Sequence, residues 1–160
     1  MNATDDYFEL TDPQAGSSVA FDLRYFPCYV THWSGAPSLE LMNKVISARR
    51  DVFQRGQAEG KLMVQITDLT KFSAPSATVR KYMGEVGNKQ DLEFADVFAG
   101  YVVVVPSAII RGVITALKWF GGEEVKPALY VSSVESAFST DWTKSLGVDL
   151  RSVNYVPRSA

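Results

Sequence analysis

The run Val102-Val103-Val104-Val105, stopped by Pro106, constrains the fold more than any other part of the chain. Consecutive β-branched residues favour a strand, and a strand that is apolar at every position needs cover on both of its faces. Ser107 then opens an apolar pattern of helical period that ends at Gly121 and Gly122. A buried strand running into a helix predicts the α/β class, with helices laid against a largely parallel sheet.

The remaining segments extend that pattern. Tyr7 to Thr11, Val19 to Leu23 and Cys28 to Trp33 read as strands, separated by the turn cluster Asp12-Pro13-Gln14-Ala15-Gly16 and by Pro27. Proline at that place marks an edge, a bulge or a short connection, so the chain opens with an antiparallel meander. Ser38, with Glu40 in the first turn, caps a helix whose apolar stripe is Leu41, Met42, Val45, Ile46, Val52 and Phe53. Arg49, Arg50 and Asp51 fall on its wet side or border, and Gly56 and Gly60 end it. Leu62 to Ile66 is a buried strand leading into Asp68-Leu69-Thr70.

A second helix follows Phe72-Ser73-Ala74-Pro75-Ser76, with Val79, Tyr82, Met83 and Val86 at helical spacing. Gly84 and Gly87 weaken it, each by about 1 kcal/mol relative to alanine. Asn88 to Glu93 suits either continued helix or loop. Ala128 to Val131 is the last strand, and Ser133 caps a helix with Val134, Phe138 and Trp142 on one face. The expected fold is one α/β domain over residues 1–145, with antiparallel opening strands, a parallel remainder and four flanking helices. Residues 146–160 read as a C-terminal extension that is loose or peripherally packed.

The chemistry is spare. A net charge of −2 argues against a nucleic-acid partner that must neutralise many phosphates. The single cysteine, Cys28, excludes an internal disulfide framework and sits among Tyr25, Phe26 and Tyr29, where a buried, inert thiol is expected. The acidic start lacks the basic and apolar parts of a secretion signal, and no apolar run reaches the roughly 20 residues that span a bilayer. A cytoplasmic protein is expected. His32, alone, cannot build a typical metal site, and the chain has neither a Walker A loop nor a Gly-rich dinucleotide fingerprint. No metal and no cofactor are expected.

Ser107 lacks the flanking glycines of a nucleophile elbow, so it reads as a helix cap. Ser73 and Ser76 have two roles open to them: capping the second helix, or carrying a regulatory phosphate that a helix N-terminus would favour. Arg111 stands on the first turn of an apolar helix, against the dipole preference. It would either pair with a carboxylate such as Asp68 or contact an anion or partner at the strand ends, where ligands settle in open α/β sheets. Trp33, Trp119 and Trp142 lie in or beside apolar stripes and suit packing; Trp119 and Phe120, if turned outward, would suit dimerisation or an apolar ligand.

Several short motifs, taken in order, resemble SpoIIAA-like proteins, part of a broader group that joins STAS domains with CRAL-TRIO lipid carriers. They are Trp33-Ser34-Gly35, Pro37-Ser38-Leu39-Glu40 opening a long helix, and Ile66-Thr67-Asp68-Leu69 followed by Pro75 or Ser76 at the next helix. Val105-Pro106-Ser107-Ala108-Ile109-Ile110-Arg111-Gly112 and Glu135-Ser136-Ala137-Phe138 beside Trp142 continue the match, which covers roughly residues 28–144. The resemblance implies a four- or five-stranded sheet with helices around it and a non-enzymatic regulatory or ligand-binding role. In anti-sigma-factor antagonists of this group a serine opening the helix after the Asp-Leu strand is phosphorylated; Ser73 and Ser76 are the positions here that match. The chain departs from that pattern by lacking the acidic residue and glycine of the phosphorylated turn.

The expectation is therefore a bacterial regulatory or scaffold module, not an enzyme, working through an unidentified protein partner. Its contact residues would be Asp68, Ser73, Ser76, Arg80, Ser107 and Arg111, with Ser76 or Ser73 as phosphosite and a homodimer as one form of the assembly. The alternative is a small apolar-ligand or lipid-binding protein of CRAL-TRIO type.

Overall fold

In the computed structural model the described residues are 6–105, 126–151 and 153–157. They form an α/β fold with a mixed six-stranded sheet whose strands lie in sequence order, β1 to β6. The strands are β1 (Tyr7–Asp12), β2 (Ser17–Asp22), β3 (Cys28–Gly35), β4 (Met63–Phe72), β5 (Phe98–Val104) and β6 (Ala128–Val131). The pairs β1/β2 and β2/β3 are antiparallel, and every later pair is parallel. Pro27 serves the short β2–β3 connection, where its peptide bond with Phe26 is cis.

Four helices occur among the described residues: α1 (Leu39–Glu59), α2 (Ala77–Glu93), α3 (Val134–Ser139) and α4 (Trp142–Ser145). The helix expected from Ser107 to Gly122 lies outside them. The hydroxyl of Ser38 accepts from Leu41 N–H at 3.1 Å to start α1, and Gly60, at φ 62°, closes it. Ser38 also donates to Asp12, and this hydrogen bond, with those from Ala15 and Gln14 N–H, holds the Asp12 carboxyl below its usual value despite burial. The end of β1 is thereby tied to the start of α1. α2 runs through Gly84 and Gly87 and takes in Asn88 to Glu93, because Gln90 and Asp91 are buried against α1 and the sheet. The helix after Ser133 is shorter than expected. It breaks at Thr140, which is extended and whose Oγ1 accepts from Trp142 N–H at 3.2 Å, a side-chain bond that competes with the helical one.

α1 and α2 share one face of the sheet, as successive crossovers between neighbouring strands of constant direction require. Val19, Phe21, Tyr29, Trp33, Leu41, Val45, Phe53 and Phe98 build the core on this first face. Phe21 stacks between Phe8, 4.9 Å away, and Tyr29, 6.4 Å away. The second face is covered by α3 and the segment after α4. Cys28, Val30, Ile66, Val102 and Val104 pack there against Val134, Phe138, Val148 and Leu150. Residues beyond 145 thus contribute to a core, and Tyr155 stacks on Phe138 at 4.9 Å. Val102 to Val105 are buried, as a strand covered on both sides must be.

Arg49 corrects the sequence reading. Expected at the wet border of α1, it is 4 % exposed. Its position continues the i, i+4 series Leu41, Val45, Arg49, Phe53, so its side chain enters the space between α1, α2 and the sheet.

Candidate functional site

The residues expected to form one wall at the strand ends are divided by the sheet. Ser107 and Arg111 lie outside the described residues. Asp68 alternates along β4 with Val64 and Ile66 of the second-face core, so its carboxylate lies on the second face. α2, with Val79 in the first-face core, starts on the other side. Ser73, Ser76 and Arg80 gather there without Asp68.

At the start of α2 the geometry is that of a held ledge. Ser73 N–H donates to the carbonyl of Gly35 at 3.0 Å, which anchors the segment to the end of β3. Ser76 Oγ accepts from Val79 N–H at 3.4 Å as the N-cap. Arg80 reaches back to the Pro75 carbonyl at 2.7 Å, and its buried Nε has no hydrogen-bond partner among the described residues. Pro75 is buried, whereas Ser73, Ala74, Ser76, Ala77 and Thr78 are exposed. Gly35 itself is at φ 71°, and a Cβ there would lie 2.9 Å from the Gly16 carbonyl oxygen. Only glycine lets the β1–β2 turn, the end of β3 and the Ser73 segment meet so closely.

A buried polar network on the first face escaped the sequence reading. Arg49 Nη2 donates to Asp91 at 2.7 Å, Nη1 to Gln90 at 3.1 Å and Nε to Gln65 at 2.9 Å. Tyr29 donates to the same Gln65 oxygen at 2.7 Å, and Tyr101 to Asp91 at 2.7 Å. The guanidinium lies 4.5 Å from the centre of the Phe53 ring and 4.9 Å from that of Phe98. Burial opposes the Arg49 charge, but Tyr101, Tyr29 and Asp91 outweigh it and keep the group protonated. Burial pushes the Tyr29 and Tyr101 phenols up. A network satisfied in this way orients α1, α2 and the sheet relative to one another. The signals were polar residues at core-phase positions: Arg49 within the α1 stripe and Gln65 within the apolar run of β4.

On the second face Asp68 meets His32, with Nδ1 and Oδ2 2.9 Å apart. Thr70 N–H donates to the other carboxylate oxygen at 3.0 Å, inside an irregularity where β4 gains one residue on β3. That extra residue turns Phe72 to the first face, where its ring meets Trp33 edge-on at 6.3 Å, and leaves Lys71 opposite Ser34 on the second. Burial pushes the Asp68 carboxyl up, but the bonds from His32 and Thr70 outweigh it and hold the group below its usual value. The Cys28 thiol, on the same face, is pushed up by burial and by Asp22 and offers no ready thiolate.

Among the described residues no group of three His, Cys, Asp or Glu side chains is placed to hold a metal ion, and no helix is long and apolar enough to cross a membrane. No protein-family model matches the chain, nor does any curated protein or solved structure.

Proposed function

We propose that the protein is a SpoIIAA-like, STAS-type regulatory or scaffold module of the bacterial cytoplasm that acts through protein contact, with residues 73–80 as the contact surface. The observation that carries this reading is the ledge at the start of α2. Its small side chains are exposed while its backbone is held at Gly35, at Val79 and at the Pro75 carbonyl. A surface ordered before binding loses little conformational entropy on contact, and small residues let a partner backbone approach. A phosphate on Ser76 would place negative charge at a helix N-terminus that has no acidic residue in its first turn. The carrier alternative requires an apolar cavity beneath the helices. Among the described residues the space between α1, α2 and the sheet holds the polar Arg49 network, while the Val-, Ile- and Trp-rich helix expected after Ser107 lies outside them.

The test is site-specific photo-crosslinking in cells, with the probe at Ser73 or Ala77 and a control probe at Glu59, at the far end of α1. Discrete adducts from the first two positions, weakened by Arg80→Glu, are expected. Identical patterns from all three positions would sink the reading.

A further inference from the structure

The His32–Asp68 pair is independent of the α2 ledge and lies on the opposite face of the sheet. We propose that His32 is a phosphoryl-acceptor site, modified at Nε2 by a phosphoramidate donor, the class that includes a phosphohistidine on a partner protein.

Three features carry this. The His32 ring is held by one edge only: Nδ1 faces Asp68 at 2.9 Å, and Nε2 has no partner among the described residues. The exposure is graded in the direction a nucleophile needs, with the imidazole 33 % exposed and the carboxylate behind it 13 %. Asp68 is itself fixed by Thr70 N–H at 3.0 Å, so the ionised carboxylate favours the tautomer with the proton on Nδ1 and the lone pair on Nε2. The face around His32 carries charges of both signs, and the carboxylate of Asp22, opposite Val30, is paired there with Arg24 at 2.6 Å. Ser34 follows His32 on the same face, and the exposed Lys71 stands opposite Ser34. Glu9 shares the face across β2, but two strand spacings put it about 10 Å away, where salt screens most of its repulsion.

In the transfer, the Nε2 lone pair forms the new N–P bond while the donor P–N bond breaks. That bond's electron pair leaves with the donor nitrogen, which takes a proton from solvent. The ring becomes an imidazolium bearing the phosphoryl group, and the Asp68 carboxylate at Nδ1–H balances the charge that develops. Asp68 is thus a positioning residue and His32 the group that reacts.

Because His32 is the only histidine in the chain, the experiment reads a single site. The folded full-length protein is incubated with phosphoramidate, and phosphohistidine is followed by ³¹P NMR and by its loss in acid. Expected are one adduct at Nε2, formation about tenfold faster than in the urea-unfolded chain, and no adduct in His32→Gln. Asp68→Asn should lose both the rate advantage and the preference for Nε2 over Nδ1. Equal rates in folded and unfolded wild-type protein, or a mixture of Nδ1 and Nε2 adducts in the folded one, would overturn the proposal without reference to any variant. An intact α2 crosslinking pattern alongside that failure would leave the contact reading standing.

Discussion

Arg49 of α1 and Asp91 of α2 meet at 2.7 Å with residue exposures of 4 % and 3 %, an ion pair sealed between two helices and the sheet. Its desolvation is offset by hydrogen bonds to Gln65, Gln90 and Tyr101, not by the pair alone. Asp91→Ala leaves Arg49 charged and buried, and is expected to cost about 3–5 kcal/mol. Replacing both partners by Met and Leu should cost clearly less than the sum of the single changes. Denaturant midpoints of the two single variants and the double variant measure the coupling directly.

Gly35 and Gly60 both have positive φ, at 71° and 62°, but they differ in their surroundings. Around Gly60 a Cβ meets nothing within 4 Å, so Gly60→Ala should cost only the left-handed conformation, about 1–2 kcal/mol. Gly35→Ala adds a clash with the Gly16 backbone and should destabilise more. The order of the two melting temperatures checks this; equal losses would show that the β1–β2 turn yields freely.

Asp68 and Asp12 both titrate below the ordinary aspartate value in the fold. The unfolded chain therefore takes up these protons at higher pH than the native one, and the stabilisation is complete above the ordinary value of 3.8. It is lost as pH falls through the lowered native values. Asp68→Asn should flatten the acid limb of a stability–pH curve. An unaltered acid limb would show that the His32 and Thr70 bonds do not hold the carboxylate in solution.

Cys28 is buried and its thiol is pushed up, so native protein should be silent toward Ellman's reagent at pH 8. Labelling should follow the unfolding transition in urea. Rapid labelling without denaturant would mean that the segment after α4, with Val148 and Leu150, opens locally from the second face.

Much of the architecture was legible because its signals are local. Ser38 and Ser133 cap the helices expected after them, and Ser76, one of two candidate caps, opens α2. The alternation of Val19 and Phe21 in β2, continued by Leu23 just past its end, places all three in the first-face core. The candidate site was less legible. Asp68 was singled out for an arginine partner, yet the partner the described residues supply is His32, a neighbour only through parallel pairing of β3 and β4. Its separation from Ser76 depends on which side of the sheet each side chain takes.

Periodicity and capping chemistry, read along the chain, were enough to specify an α/β sheet with an antiparallel opening and a parallel continuation, because each depends on residues a few positions apart. Arg49 shows where such reading stops. Its charge marks it for solvent in any local account, and only the convergence of Gln65, Gln90, Asp91 and Tyr101 from three other elements makes its burial tolerable. The same holds for His32 and Asp68. Strand register brings an imidazole and a carboxylate 36 residues apart to within 2.9 Å, with the carboxylate the less exposed of two half-buried groups.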